Sequence, residues 1–197
     1  MRLVQKYGGS SLADAKHVAR VAKKISESYH AGNELVVVLS AQGKTTNALI
    51  EMAKEVNDAP TDRELDMLLV TGEQQSVALM SLALSQYNCP SISLNAYQAG
   101  IYSDGRFGKA RITEIDGSRI EEELKTKKVV IVTGFQAVNL NKDYTTLGRG
   151  GSDTSAVAIA KVIAADKCEI YSDVDGIYTS DPRLVKTAKR LKEIDYD

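Results

Sequence analysis

The stretch "VVVLSAQGKTTNALI", Val36 to Ile50, joins an apolar run to a loop bearing Gly43-Lys44-Thr45 and then to a helical pattern. A short, valine-rich run bounded in this way reads as a strand buried on both faces, as in the middle of a parallel sheet. The loop invites comparison with the phosphate-gripping G-x-x-x-x-G-K-[ST] sequence, whose first glycine stands five positions before its second. That position is Val38, inside the strand. Without the first glycine the loop cannot wrap its amides around a phosphate in that manner. The junction is therefore strand, loop and helix with some other ligand to hold.

Working outward, "RLVQKY", "LVVVLS", "SISLN", "VVIVTGF" and "KCEIYSD" read as strands. Between the first two, Val18, Val21, Ala22 and Ile25 recur at helical spacing, with Ser11 and Asp14 as a capping box and Gly32 as the stop. Further helices are expected at about Thr46 to Val56, Arg63 to Leu69, Gln75 to Gln86, Ser118 to Lys125 and Ser152 to Ala165. Repeated strand–helix–strand units predict an α/β protein with a largely parallel sheet covered on both faces. No internal repeat, low-complexity segment or interdomain linker interrupts the pattern.

Composition narrows the function classes. A chain of 197 residues forms one domain with a sizeable core. A formal net charge of -1 supplies no basic field for nucleic acid or a membrane surface. No apolar stretch approaches the roughly 20 residues that span a bilayer, and "MRLVQKYGG" lacks the apolar core of a signal peptide. Cys89 and Cys168 have no C-x-x-C spacing and suit reduced thiols in the cytosol; His17 and His30 cannot share a metal on one helix. No metal-ligand set is predicted.

In a sheet of this kind ligands collect beyond the C-terminal strand ends, where helix N-termini point. The unusual residues fall there. "KYGGSS", Lys6 to Ser11, sets a lysine and two glycines before a helix, an anion site in miniature, although an ordinary turn with a snorkelling lysine would read the same. "TTLGRGGSDTSA", Thr145 to Ala156, holds Arg149 among Gly148, Gly150 and Gly151. A guanidinium fork suits bidentate capture of a carboxylate or phosphate, and a ligand-free turn has no need of it. Asp153 after Ser152 also favours the helix dipole. Glu73 in "VTGEQQSVAL" reads by itself as a first-turn glutamate of a helix opening after Gly72. In "SDVDGIYTSDPR", Ser172 to Arg183, turn chemistry explains Asp175-Gly176 and Asp181-Pro182 but leaves Tyr178 and Arg183 unexplained. Glu121, Glu122 and Glu123 with Lys125, Lys127 and Lys128 read as a solvated face, and Lys186, Lys189, Arg190 and Lys192 as surface.

"KYGGSS", "SAQGKTTN", "TGEQ", "GFQAV", "TTLGRGGSDTSA" and "YSDVDGIYTSDPR" occur in this order, and together they resemble the aspartokinases from one end of the chain to the other. "KYGG" by itself is shared with acetylglutamate kinases, and uridylate kinases have the same fold. The resemblance implies a three-layer αβα sandwich, the amino-acid kinase or carbamate kinase-like fold. It implies transfer of the ATP γ-phosphoryl group to the β-carboxylate of L-aspartate, giving 4-phospho-L-aspartate for lysine (diaminopimelate), threonine and methionine synthesis. By the same resemblance Lys6, Gly8, Gly9 and Ser10 contact the triphosphate, and Ser172, Asp173, Tyr178 and Arg183 the nucleotide. Ser40, Ala41 and Thr46 line the substrate pocket, Glu73 and Arg149 bind aspartate, and Lys6 and Asp153 are catalytic. The implied cofactors are ATP and Mg²⁺, and the implied location is cytoplasmic. The partners are small molecules, with no nucleic acid or membrane and room for a homo-oligomer. Residues 1–197 are expected to form a catalytic domain incomplete at its C-terminus, without the regulatory ACT modules of the family. A kinase of another small acid, or a silent nucleotide-binding fragment, stands as the alternative.

Overall fold

Every residue of the first strand but one is buried, because the strand lies in the middle of a sheet. The computed structural model describes residues 1–173, 176, 178–181 and 184–193. In chain order the elements are β1 (Arg2–Tyr7), a 3-10 turn (Gly9–Leu12), α1 (Ala15–His30), β2 (Glu34–Leu39), α2 (Thr45–Val56) and α3 (Asp62–Ser85). Then come β3 (Ser91–Leu94), β4 (Ile101–Ser103), β5 (Ile112–Ile115), α4 (Ser118–Lys125), β6 (Val129–Thr133), β7 (Gln136–Val138), β8 (Tyr144–Thr146), α5 (Gly151–Val162) and β9 (Lys167–Tyr171).

Five strands form one parallel sheet in the order β3-β6-β2-β1-β9. Because side chains alternate along a strand, its residues divide between two cores. Leu3, Tyr7, Leu35, Val37, Leu39, Val129 and Ile131 meet α1 and α3 on one face. Val4, Val36, Val38, Val130 and Val132 meet α4 and α5 on the other. This is the three-layer αβα sandwich. The chain goes from β1 to β2 on one side and returns, through α5, to place β9 on the other side of β1. The C-terminal end of β1 is thus a topological switch point, the place where such sheets bind ligands.

The short strands β5-β4-β7-β8 form a second, mixed sheet that sequence periodicity did not reveal. Each contributes only three or four residues, too few for alternation to show. The expected strand "VVIVTGF" stops at Thr133; Phe135 then takes a left-handed φ of 68° and redirects the chain into β7. The two helices expected at 63–69 and 75–86 are one helix of 24 residues running straight through Gly72. By length and mean hydropathy α3 could cross a membrane, although Glu73 and its polar neighbours interrupt the apolar run. Here it is a core helix: Leu69, Val70, Val77, Met80 and Leu84 are buried against the sheet.

Two local expectations change as well. Ser11 belongs to the 3-10 turn, and Asp14 itself caps α1 by accepting from the His17 backbone N–H at 2.9 Å, so there is no capping box. Glu123 is not on a solvated face but buried, ion-paired to Lys128 at 2.7 Å and Arg119 at 2.8 Å. Glu121 binds Arg2 at 2.6 Å, whereas Lys186, Lys189, Arg190 and Lys192 are exposed as expected.

Candidate active site at the strand C-termini

Lys6 is the penultimate residue of β1, and its side chain lies beneath the following turn with only 8% of the residue exposed. Its Nζ makes an ion pair with Asp153 Oδ1 at 2.6 Å. The next residue, Tyr7, stacks on Tyr171 of β9 with ring centroids 4.7 Å apart. Gly8 N–H donates to the Tyr171 carbonyl at 3.3 Å, so the turn after β1 is tied to the end of β9. Gly9 is there because nothing larger fits: a Cβ would come within 2.6 Å of the Ala41 carbonyl oxygen. The Gly43 N–H closes the contact by donating to the Gly9 carbonyl at 2.9 Å. The loops after β1 and β2 are thereby locked together.

α3 crosses behind the second loop. A Cβ on Gly72 would lie 2.9 Å from Ala41 Cβ, so this glycine permits close approach and does not break the helix. Glu73 follows it inside the helix, not at its opening, and is 2% exposed. Its Oε1 accepts from the Ala41 N–H at 3.0 Å, while Oε2 has no partner among the described residues. Burial pushes its carboxyl up to about 7, against the smaller opposing effect of the Ala41 N–H.

The third wall is the glycine-rich loop between β8 and α5. Gly148 and Gly150 take left-handed φ values of 75° and 74°, which expose the loop on both sides of Arg149. Arg149 is solvent-exposed and makes no hydrogen bond or ion pair with any described residue. α5 then begins at Gly151, and Asp153 stands in its first turn. Ser40 Oγ donates to Ser152 Oγ at 2.9 Å, joining this wall to the loop after β2.

These walls enclose a cavity of about 360 Å³. Of the residues singled out from sequence, Lys6, Gly9, Ser40, Ala41, Thr46, Glu73, Arg149 and Asp153 line it. Gly8 and Ser10 belong to the adjoining turn but do not line it; Gly8 borders Lys6, its missing Cβ position being 3.7 Å from Nζ. Ser172 and Asp173 sit exposed just past β9, and Tyr178 pairs with Arg190 in an isolated antiparallel bridge, also outside the cavity wall. Arg183 lies outside the described residues. Phe135 lines the cavity and escaped notice; the sole sequence signal was an aromatic after Gly134, where a Cβ would strike Ser152 Oγ at 2.6 Å.

A cavity built from Gly-rich loops, one buried lysine and a first-turn aspartate at the switch point defines a class of phosphate-handling α/β proteins. The model of the amino acid kinase family matches residues 1–197, and the chain belongs to that family. Among individual proteins it is 49% identical over 195 residues to an aspartokinase of Geobacillus stearothermophilus, covering 99% of this chain and 48% of that protein. It is 49% identical over 196 residues to an aspartokinase of Corynebacterium glutamicum, covering 99% and 47%. The chain thus spans about half the length of the curated relatives it matches. Among solved structures, aspartate kinase from Synechocystis superposes with a TM-score of 0.82 at 48% identity, over 95% of this chain and 31% of that one. Aspartokinase III of E. coli in complex with aspartate and ADP superposes with a TM-score of 0.81 at 27% identity, over 97% and 53%.

Proposed function

We propose that this chain carries the catalytic site of an aspartate kinase, transferring the γ-phosphoryl group of ATP to the β-carboxylate of L-aspartate. The observation that carries the reading is the presence on one cavity of a buried carboxylate, Glu73, and a guanidinium, Arg149, with one oxygen of the former and all of the latter unpartnered among the described residues. An α-amino acid head group has the complementary ammonium and carboxylate. N-acetylglutamate has lost the ammonium and uridylate has neither, so the same pair speaks against those substrates. The E. coli relative that holds aspartate and ADP supports the reading.

Arg149 clamps the α-carboxylate and Glu73 the ammonium, which leaves the β-carboxylate to reach phosphorus. A carboxylate with an ordinary pKa near 3.9 is already ionised at neutral pH and needs no general base. The chain has to align the two substrates and neutralise a loose phosphoryl transition state. Lys6 and the amides of Gly9 and Ser10 supply donors for the phosphates, with Gly8 giving the turn room beside Lys6 Nζ, while Ser40, Ala41 and Thr46 shape the amino-acid side. Asp153 holds the Lys6 ammonium at 2.6 Å and so sets where that charge points. Ser172, Asp173, Tyr178 and Arg183 are assigned to the nucleotide.

Among the described residues no group of three or more His, Cys, Asp or Glu side chains could hold a metal. Asp153 on the cavity wall fits Mg²⁺ arriving on ATP, since this ion is commonly held by phosphates, water and one or two carboxylates. Asp153 is the cavity carboxylate placed to join them, and the ion would neutralise phosphate charge. A cytoplasmic enzyme at the head of lysine, threonine and methionine synthesis, working as a homo-oligomer, is the setting this activity suggests.

Hydroxylamine traps an acyl phosphate as a hydroxamate that colours with iron. With Mg-ATP, the 197-residue chain should give hydroxamate from L-aspartate and none from N-acetylglutamate. Signal from N-acetylglutamate, or Mg-ATP binding with no transfer to aspartate, would overturn the assignment for this chain.

A further inference from the structure

α3 carries a second buried carboxylate. Asp66 lies seven residues before Glu73, two helical turns away on the same side, and is 1% exposed. Its Oδ2 accepts from the backbone N–H of Gly108 at 2.8 Å and of Thr146 at 2.9 Å. Its Oδ1 accepts from the Thr146 hydroxyl at 2.7 Å. No cation faces it among the described residues. A buried carboxylate without a cation is costly unless its lone pairs are satisfied, and hydrogen bonds to an ionised acceptor are correspondingly strong.

What these bonds hold is the root of the Arg149 loop. Thr146 ends β8, three residues before Arg149. Its carbonyl accepts from Ala110 N–H at 2.8 Å, and Leu147 N–H donates to the Phe135 carbonyl at 2.8 Å. Gly148 lies over Gly108, its missing Cβ position 3.6 Å from the Gly108 carbonyl oxygen. Among the described residues Arg149 itself has no hydrogen-bond or ion-pair partner, so the loop's anchorage places its guanidinium. One helix therefore presents Glu73 to the cavity directly and, through Asp66, holds the root of the loop that carries Arg149.

We propose that Asp66 is the positioning residue that sets Arg149 opposite Glu73 and so fixes the spacing that selects an amino-acid head group. This rests on the aspartate reading above for the identity of the ligand, though not for the anchorage of the loop.

The test combines hydrogen exchange of residues 146–151 with equilibrium binding of L-aspartate and of Mg-ADP to the 197-residue chain. Asp66→Ala should speed exchange there and weaken aspartate roughly tenfold or more, a usual cost of a misplaced binding group, with Mg-ADP altered by less than about threefold. In Asp66→Asn the amide oxygen still accepts from both N–H groups and the amide NH₂ donates to the Thr146 hydroxyl. It should return aspartate affinity to within roughly threefold of the parent, because the pattern of bonds survives while only their charge assistance is lost. Thr146→Val removes one bond and gives an intermediate loss should Asp66→Ala fail to fold. Glu123→Gln, which breaks a buried ion pair elsewhere, should lower stability without separating the two ligands. Unchanged exchange of the loop in Asp66→Ala and Thr146→Val, or equal weakening of aspartate and Mg-ADP, overturns the proposal. If the parent chain binds no aspartate, the substrate reading fails and loop exchange by itself decides the role of Asp66.

Discussion

Lys6 and Arg149 are both cations on the cavity, but their surroundings assign them different work. Lys6 is buried and neutralised by Asp153, so its ammonium is held in place in advance, as the preorganised phosphate donor proposed above must be. Replacing it by alanine should lower turnover by roughly 10²–10³ while the fold survives, since the carboxylate left behind is partly exposed. Turnover within about threefold of the parent, measured by coupled ADP release, would refute that role. Arg149 is exposed and unpaired among the described residues, and its alanine variant should raise the KM for aspartate far more than that for ATP; equal rises would remove it from the aspartate site. "TTLGRGGSDTSA" announced Arg149 because an arginine among glycines has no packing purpose. Glu73 was different. Its sequence context matched a first-turn glutamate, and only its burial on the side of α3 facing Ala41 distinguishes it.

At the scale of the element, α3 shows where local reading misleads. Glycine in a helix interior costs about 1 kcal/mol relative to alanine, so "TG" looks like a break between two helices. The structure keeps one helix because Gly72 lets its backbone approach the Ala41 loop, and packing outweighs propensity. Gly72→Ala should therefore destabilise the protein by about 1–2 kcal/mol net, the overpacking term exceeding the gain in helix propensity. It should also raise the KM for aspartate, because the Ala41 N–H that holds Glu73 must move. Urea unfolding followed by circular dichroism reads the first effect, and a stabilised variant would show that the loop yields freely. The helices α1 and α5 were legible because apolar residues recur at helical spacing over three turns or more. The strands of the second sheet were not, because three residues carry no period.

Over the whole molecule, the site is held at a cost in stability. With its carboxyl raised to about 7 by burial, Glu73 favours folding when protonated. Its contribution is greatest below the unfolded value near 4.5 and is lost as pH rises towards 7, an effect of roughly 3 kcal/mol at most. Carboxylates such as Asp143, lowered mainly by Arg63, and Asp14, lowered by His17, act the other way and lose their support in acid. The clean measurement is thus a difference. Glu73→Gln should melt roughly 5–10 °C above the parent at pH 8, with the gap closing by about pH 4.5, and should bind aspartate more weakly. A gap independent of pH would mean that Glu73 is not titrating in this range. If Glu73 takes the ammonium of aspartate as proposed, aspartate should bind more tightly from pH 6 to 8, because the ammonium favours the ionised carboxylate; affinity flat over that range, read by calorimetry, would refute the pairing. The amino-acid sequence by itself determined the α/β class, the parallel core strands and the glycine-bearing loops after β1 and β8 that border the cavity, because burial on two faces and glycine-bound cations leave marks within a few residues. The tertiary structure alone decided which of those loops share a cavity, that α3 is continuous and that Glu73 and Asp66 are buried. Those outcomes depend on contacts between residues 30 to 80 positions apart, such as Ala41 with Glu73 and Asp66 with Thr146, whose geometry no local pattern encodes.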